Sequence, residues 1–260
     1  MLAYVFNIPF RDNVKLERVM EIVKADVRLH AFWRCSNVMA IDRMGYTDHG
    51  PTHVKIVANL SLKLLRILVA QQVQPSVVKD YAMENDDAEV VVVLGSVLHD
   101  LGMAVIRHRH EMYSAIMACE FVERCCAPVY SEEERAVICS EVLHAIVAHE
   151  RPNIPLTVEA GIVGIADALD MEAGRARIPF EAGKIDIHAV SALSIEKVEV
   201  AEGGKKPITI MIKMSNSAGV FQIDELLKPR IEISGLQQYF HVVAEITGEK
   251  ETRIIDKFEI

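Results

Sequence analysis

A mainly α protein, a helical bundle followed by a small α+β C-terminal domain, is the fold class this sequence predicts. Three observations predict it. Apolar residues recur at helical spacing, with capping signals, from residue 12 to about 175. After Gly174 the pattern gives way to short runs rich in β-branched residues. The chain has 260 residues, 51% of them hydrophobic, which is ample for the core of one large domain with an appendage.

Asp12 reads as the N-cap of an amphipathic stretch running to about Met39, with Val14, Val19, Ile22 and Val23 at helical spacing. Pro51 suits the first turn of a second helix, which continues through IVANLSLKLLRILVA and places His53 near its start. A third helix covers roughly Ala88 to Leu101 and a fourth His110 to Cys126. Ser131 with Glu134 gives a capping-box signal for a fifth, ending near His149. Thr157 caps a sixth, in which Ile162, Val163, Ala166 and Leu169 make an apolar face beside Asp167. Pro152 and Pro155 mark the loop before it. Beyond Gly174, SIEKVEV, PITIMIKM and YFHVVAEI read as strands, with Glu202, Gly203, Gly204 and Lys205 turning between the first two. Ile223 to Ile231 reads as a short helix whose length Pro229 limits. The domains are placed at 1–178 and 179–260.

The formal charge is −9. Phosphate-backbone binding relies on clustered Lys and Arg, so nonspecific nucleic-acid or anionic-membrane binding is not expected. The opening MLAYVFNIPFRD has no basic n-region, and no uncharged run reaches the length a membrane span requires. Cys35, Cys119, Cys125, Cys126 and Cys139 are odd in number and lack paired CxxC spacing, so neither a disulfide framework nor a zinc ribbon is expected. A cytoplasmic protein is the expectation.

His99 and Asp100 carry the strongest chemical signal. They end the apolar run VVVVLGSVLHDLG, where burying an imidazole and a carboxylate is costly unless a metal ion or hydrogen bonds compensate. Seven of the ten histidines (His49, His53, His99, His108, His110, His144, His149) fall between residues 49 and 149. Asp167 sits in a similar apolar setting, GIVGIADALDM. His144 precedes His149 by five positions, about 140° around a helix, so both do not point squarely inward.

The ordered set His53, His99-Asp100, His110, His149 and Asp167 resembles the HD-domain metal-dependent phosphohydrolase superfamily over about residues 45–175. HVKIVANLS is similar to the family's first-histidine helix and VLHDLG to its signature pair. HEMYSAIMA, AIVAHE and GIADALDM match the later histidine and aspartate segments. The resemblance implies that His53, His99, Asp100 and Asp167 bind one metal, with Asp100 bridging to a second held by His110 and His149. Met103 stands where members that cleave cyclic dinucleotides carry a lysine, and RPNIP replaces their GYP segment, which sets this chain apart from that subgroup. Ala148 stands where some dinuclear members carry the first of two adjacent histidines.

Imidazole and carboxylate ligands suit a divalent transition metal, Mn, Fe, Co, Ni or Zn, as one or two ions. The activity so implied is hydrolysis of a small phosphorylated molecule, such as a nucleotide, by metal-activated hydroxide, with Asp100 as the catalytic carboxylate. His49 and Arg107 are the expected substrate contacts, Arg being apt for phosphate, and Arg109 flanks the same segment. A homodimer is the assembly considered. The competing class is a regulatory protein that holds a metal or nucleotide at this site without turnover.

Overall fold

Asp26 divides what the sequence predicts as one helix from 12 to 39. In the computed structural model, which describes residues 6–173, 191–247 and the backbone of 257–259, this stretch is α1 (Val14–Ala25) and α2 (Val27–Asn37). Asp26 is extended, and its carboxylate accepts the Leu29 N–H at 2.7 Å, so the residue that ends one helix caps the next. Asn13, not Asp12, caps α1 by accepting the Leu16 N–H at 2.8 Å. A π turn, Val38–Arg43, follows α2.

Helix α3 (Pro51–Ala70) begins with Pro51 in its first turn, as predicted. A short α4 (Ser76–Tyr81), absent from the sequence reading, comes next. Fully buried Glu159 accepts the N–H groups of Ser76 and Val77 at its start, both at 3.1 Å. Helix α5 (Asn85–Leu98) starts before the expected Ala88 because Glu84 and Asp87 exchange capping bonds, and it stops before the expected Leu101. His99 ends it, and a 3₁₀ turn, Leu101–Ala104, leads away. Helices α6 (His110–Cys126), α7 (Glu132–Ala148) and α8 (Val158–Leu169) lie where the sequence places them, with Ser131 and Thr157 as side-chain caps.

Helix α5 is the central rod of the bundle, packed against α3, α7 and α8. Val90, Val91, Val92, Val93, Leu94, Val97 and Leu98 are all buried, which is why its sequence is apolar all round rather than along one stripe. Trp33 reaches in from α2, and its indole N–H donates to the Val97 carbonyl at 2.9 Å. The end of α5, with His99 and Asp100, is thereby fixed deep in the molecule.

The expected strands are β1 (Ile195–Glu202), β2 (Ile208–Met214) and β3 (Phe240–Ile246), and the backbone of β4 (Lys257–Glu259) completes a sheet of order β1-β2-β3-β4. Pairs β1/β2 and β3/β4 are antiparallel, whereas β2/β3 is parallel. Parallel neighbours need a crossover, and the helical run 217–233 supplies it. In β2 only Ile208, Ile210, Ile212 and Met214 are buried, the period-two alternation of a sheet with one covered face.

Pro229 does not cut that helix short. It falls in the first turn of α9 (Lys228–Ile233), after a π turn at Ile223–Leu227, where its missing N–H is tolerated. The Glu225 carbonyl, four residues back, takes a bond from Arg151 Nη2 at 3.2 Å. The segment after α9 packs on α8 at Gly161, where a Cβ would lie 2.9 Å from the Ser234 carbonyl oxygen. The boundary placed between 178 and 179 lies outside the described residues. Among those described, no helix is long and apolar enough to cross a membrane, and all five cysteines are free thiols.

Candidate metal centre

Five helix ends converge on one point. His53 comes from the first turn of α3, His99 and Asp100 from the end of α5, His110 from the start of α6, His149 from the end of α7, and Asp167 from near the end of α8. Gly102 makes the junction between α5 and α6 possible, since a Cβ there would lie 2.0 Å from the His110 carbonyl oxygen. Its N–H donates to Ser114 Oγ on α6 at 2.8 Å. The glycine of VLHDLG thus serves the approach of the next histidine helix.

The donor atoms form two sets that share Asp100. Around Asp100 Oδ2, His53 Nε2 and His99 Nε2 both lie at 3.3 Å, and these two nitrogens are 3.1 Å apart. Asp167 Oδ1 is 3.2 Å from His53 Nε2 and 3.6 Å from His99 Nε2. Around Asp100 Oδ1, His110 Nε2 lies at 3.1 Å and His149 Nε2 at 3.9 Å, with 3.2 Å between the two nitrogens. Ligands bound at about 2.0–2.2 Å from one ion are separated by about 3.0–3.5 Å in octahedral or tetrahedral geometry, a range that holds the other separations, while Asp167 to His99 at 3.6 Å and His149 to Asp100 at 3.9 Å are longer. His53, His99 and Asp100 could hold one ion, and Asp100, His110 and His149 another.

Each imidazole is turned so that Nε2 faces the centre. His99 Nδ1–H donates to the Ser96 carbonyl at 2.7 Å and His149 Nδ1–H to the Ile146 carbonyl at 2.6 Å, both from the preceding turn of their own helix. His53 Nδ1–H donates to Asp170 Oδ2 at 2.6 Å, across 117 positions. Such partners fix the tautomer that leaves Nε2 as the ligand atom. The sequence reading missed Asp170, yet it follows Asp167 by three residues at the end of the same apolar helix, the spacing that puts two side chains on one face. Asp48 fixes the backbone at the start of α3, accepting the Gly50 N–H at 2.9 Å and an Asn37 amide N–H at 3.0 Å.

Burial sets the electrostatics. Asp100 would be pushed up by burial, but His99 and His49 beside it and bonds from His110 and His53 hold its carboxyl well below the usual range. Burial acts on Asp167 in the same way, and His53 and His99 more than reverse it. Burial also disfavours charge on His99, but Asp100 and Asp167 overcome it and raise the ring to about 9. Burial, then His99 and His110, keep His149 neutral well below the ordinary histidine range. Two ionised carboxylates among buried imidazoles make a site that attracts cations.

Asp167 is the most open of the six, its side chain 19% exposed against 4% or less for the others, so the approach to the centre runs past it. His49 lies beside the centre, its ring centroid 5.7 Å from that of His53. Arg107 places Nη1 2.8 Å from His110 Nδ1. His144 stands apart from both sets, and its Nε2 accepts the Leu156 N–H at 2.9 Å in the loop before α8.

A helical bundle with His and Asp side chains from α3, α5, α6, α7 and α8 gathered into two donor sets defines a metal-site hydrolase architecture of the HD type. Residues 52–172 match the HD domain family model. The uncharacterized protein MJ1020 of Methanocaldococcus jannaschii is 45% identical over 230 residues, covering 88% of each chain. The chain belongs to the HD-domain metal-dependent phosphohydrolase superfamily.

Proposed function

We propose that this protein hydrolyses a phosphate ester of a small molecule, a nucleotide being the substrate class put forward, and that its centre takes one or two divalent transition-metal ions. The observation that carries the proposal is the split orientation of Asp100, with Oδ2 toward His53 and His99 and Oδ1 toward His110. In this reading His53, His99, Asp100 and Asp167 hold one ion, while Asp100, His110 and His149 hold the other. Bound there, such ions would bring the pKa of a coordinated water down to near neutrality and neutralise phosphoryl oxygens. Asp100 keeps its charge despite burial and orients both sets of imidazoles. Asp170 keeps the His53 proton on Nδ1, and the Ser96 and Ile146 carbonyls do the same for His99 and His149. His49 and Arg107, beside the centre, contact the substrate. The net charge of −9 supports a small-molecule substrate over a nucleic-acid strand.

The test is elemental analysis of the purified protein, before and after Mn or Co reconstitution, paired with hydrolysis of p-nitrophenyl phosphate, its bis diester and a nucleotide set. One or two ions per chain and turnover that Asp100→Ala abolishes are expected. A protein that takes up no metal, or an Asp100→Ala variant with undiminished turnover, overturns the reading. Metal and nucleotide binding without product would favour the regulatory class.

A further inference from the structure

We propose that Arg230, on α9 of the C-terminal region, forms with Arg107 a phosphate-binding arm of the metal centre. The substrate site is then completed by a residue outside the helical bundle. This inference rests on the phosphohydrolase reading and names the group that meets the substrate's phosphate.

Glu150, directly after His149, lies between the two arginines. Its Oε2 is 2.8 Å from Arg230 Nη2 and its Oε1 is 3.8 Å from Arg107 Nη2. Arg107 in turn touches His110 Nδ1, and His110 Nε2 lies 3.1 Å from Asp100 Oδ1, so an unbroken line of contacts joins α9 to the centre. Two guanidiniums share the Glu150 carboxylate, with the Glu111 carboxylate 3.8 Å from His110 Nδ1 on the Arg107 side, so the arginines gather at one edge of an otherwise anionic site. Arg230 Nη1 is buried and has no hydrogen-bond partner among the described residues. A phosphate displacing Glu150 would engage Nη1 and Nη2 together, the bidentate geometry that suits guanidinium.

The state of His110 points the same way. An imidazole that offers Nε2 to a metal carries its proton on Nδ1, where the Arg107 carbonyl accepts it at 3.1 Å. Arg107 Nη1 then loses its acceptor and turns to an anion. The placement of Arg230 is held from two sides. Arg151 from the loop after α7 binds the Glu225 carbonyl, and the Ser234 backbone rests on Gly161 of α8, the helix that carries Asp167.

The test is calorimetric titration of the full-length protein, first with Mn²⁺ and then, on the loaded protein, with inorganic phosphate. Arg230→Ala and Arg107→Ala are each expected to weaken phosphate binding about tenfold or more, a typical loss for one charge-assisted hydrogen-bonded partner, while leaving Mn²⁺ affinity within about twofold. Arg230→Lys, which preserves charge and stem, guards against a folding defect and is expected to lose part of the affinity. Phosphate affinity unchanged in Arg230→Ala overturns the proposal, as does a parallel loss of Mn²⁺ and phosphate or a loaded wild-type protein that binds no phosphate. Failure of the wild type to bind Mn²⁺ instead removes the phosphohydrolase reading on which it rests.

Discussion

Replacing Asp170 tests whether the His53 imidazole is held for a metal. The Asp170 carboxylate accepts His53 Nδ1–H at 2.6 Å, and both residues are at least nine-tenths buried, so the bond is charge-assisted and shielded from water. Hydrogen bonds to charged groups contribute about 1.5–3 kcal/mol. At about 1.4 kcal/mol per tenfold, that corresponds to roughly 10- to 100-fold in metal affinity, the range found when outer partners of metal-bound histidines are removed. Asp170→Asn keeps the shape and a neutral acceptor, so it should lose about tenfold, whereas Asp170→Ala should approach about 100-fold. The assay is Co²⁺ titration followed by ligand-field absorption, with calorimetry as a check. Affinity within twofold of wild type in Asp170→Ala would refute the claim that this carboxylate sets the His53 tautomer.

Metal affinity should also depend on pH in a defined sense. His99 is raised to about 9 in the metal-free protein and must shed its proton to bind, so apparent affinity should tighten about tenfold per pH unit from 6.5 to about 9 and level off above. A flat profile by calorimetry would contradict this. The same shift means that metal-free stability is fully supported by this ring below pH 6.5 and declines as pH rises through about 9, which urea titrations at pH 6 and 9.5 can measure. Gly102→Ala should destabilise by about 3 kcal/mol or more, because its Cβ has no room against the His110 carbonyl, and the denaturant midpoint reads this directly. Asp26→Ala, which removes the α2 cap and an ion pair to Arg124 at 2.6 Å, should cost about 1–2 kcal/mol in the same assay.

Helix starts were legible at three positions where a local signal marked them, while the Asn13 cap and the Glu84 and Asp87 capping box were not read. Pro51, Ser131 with Glu134, and Thr157 occupy the capping positions their chemistry favours. The long first helix was overdrawn because the apolar spacing continues across Asp26, and periodicity does not register a single extended residue. His99, Asp100 and Asp167 stood out because an imidazole or carboxylate in an apolar run is costly to bury without compensation, whereas His53, His110 and His149 were singled out by their order along the chain and the resemblance it carries. Asp170 and Glu150 were less so. One reads as a polar residue at a helix end and the other as part of a polar loop, and their roles come from partners brought close only by folding.

The sequence by itself determined the helical bundle and the three main strands, which follow from short-range periodicity and capping, and it named the candidate metal ligands through their order and the resemblance that order carries. Tertiary structure decided that β2 and β3 run parallel, that Asp100 turns one oxygen to each set of histidines, and that an arginine from α9 pairs with Glu150, the residue after His149. These depend on contacts between residues up to 80 positions apart, and such contacts are fixed by how whole elements pack rather than by any local pattern.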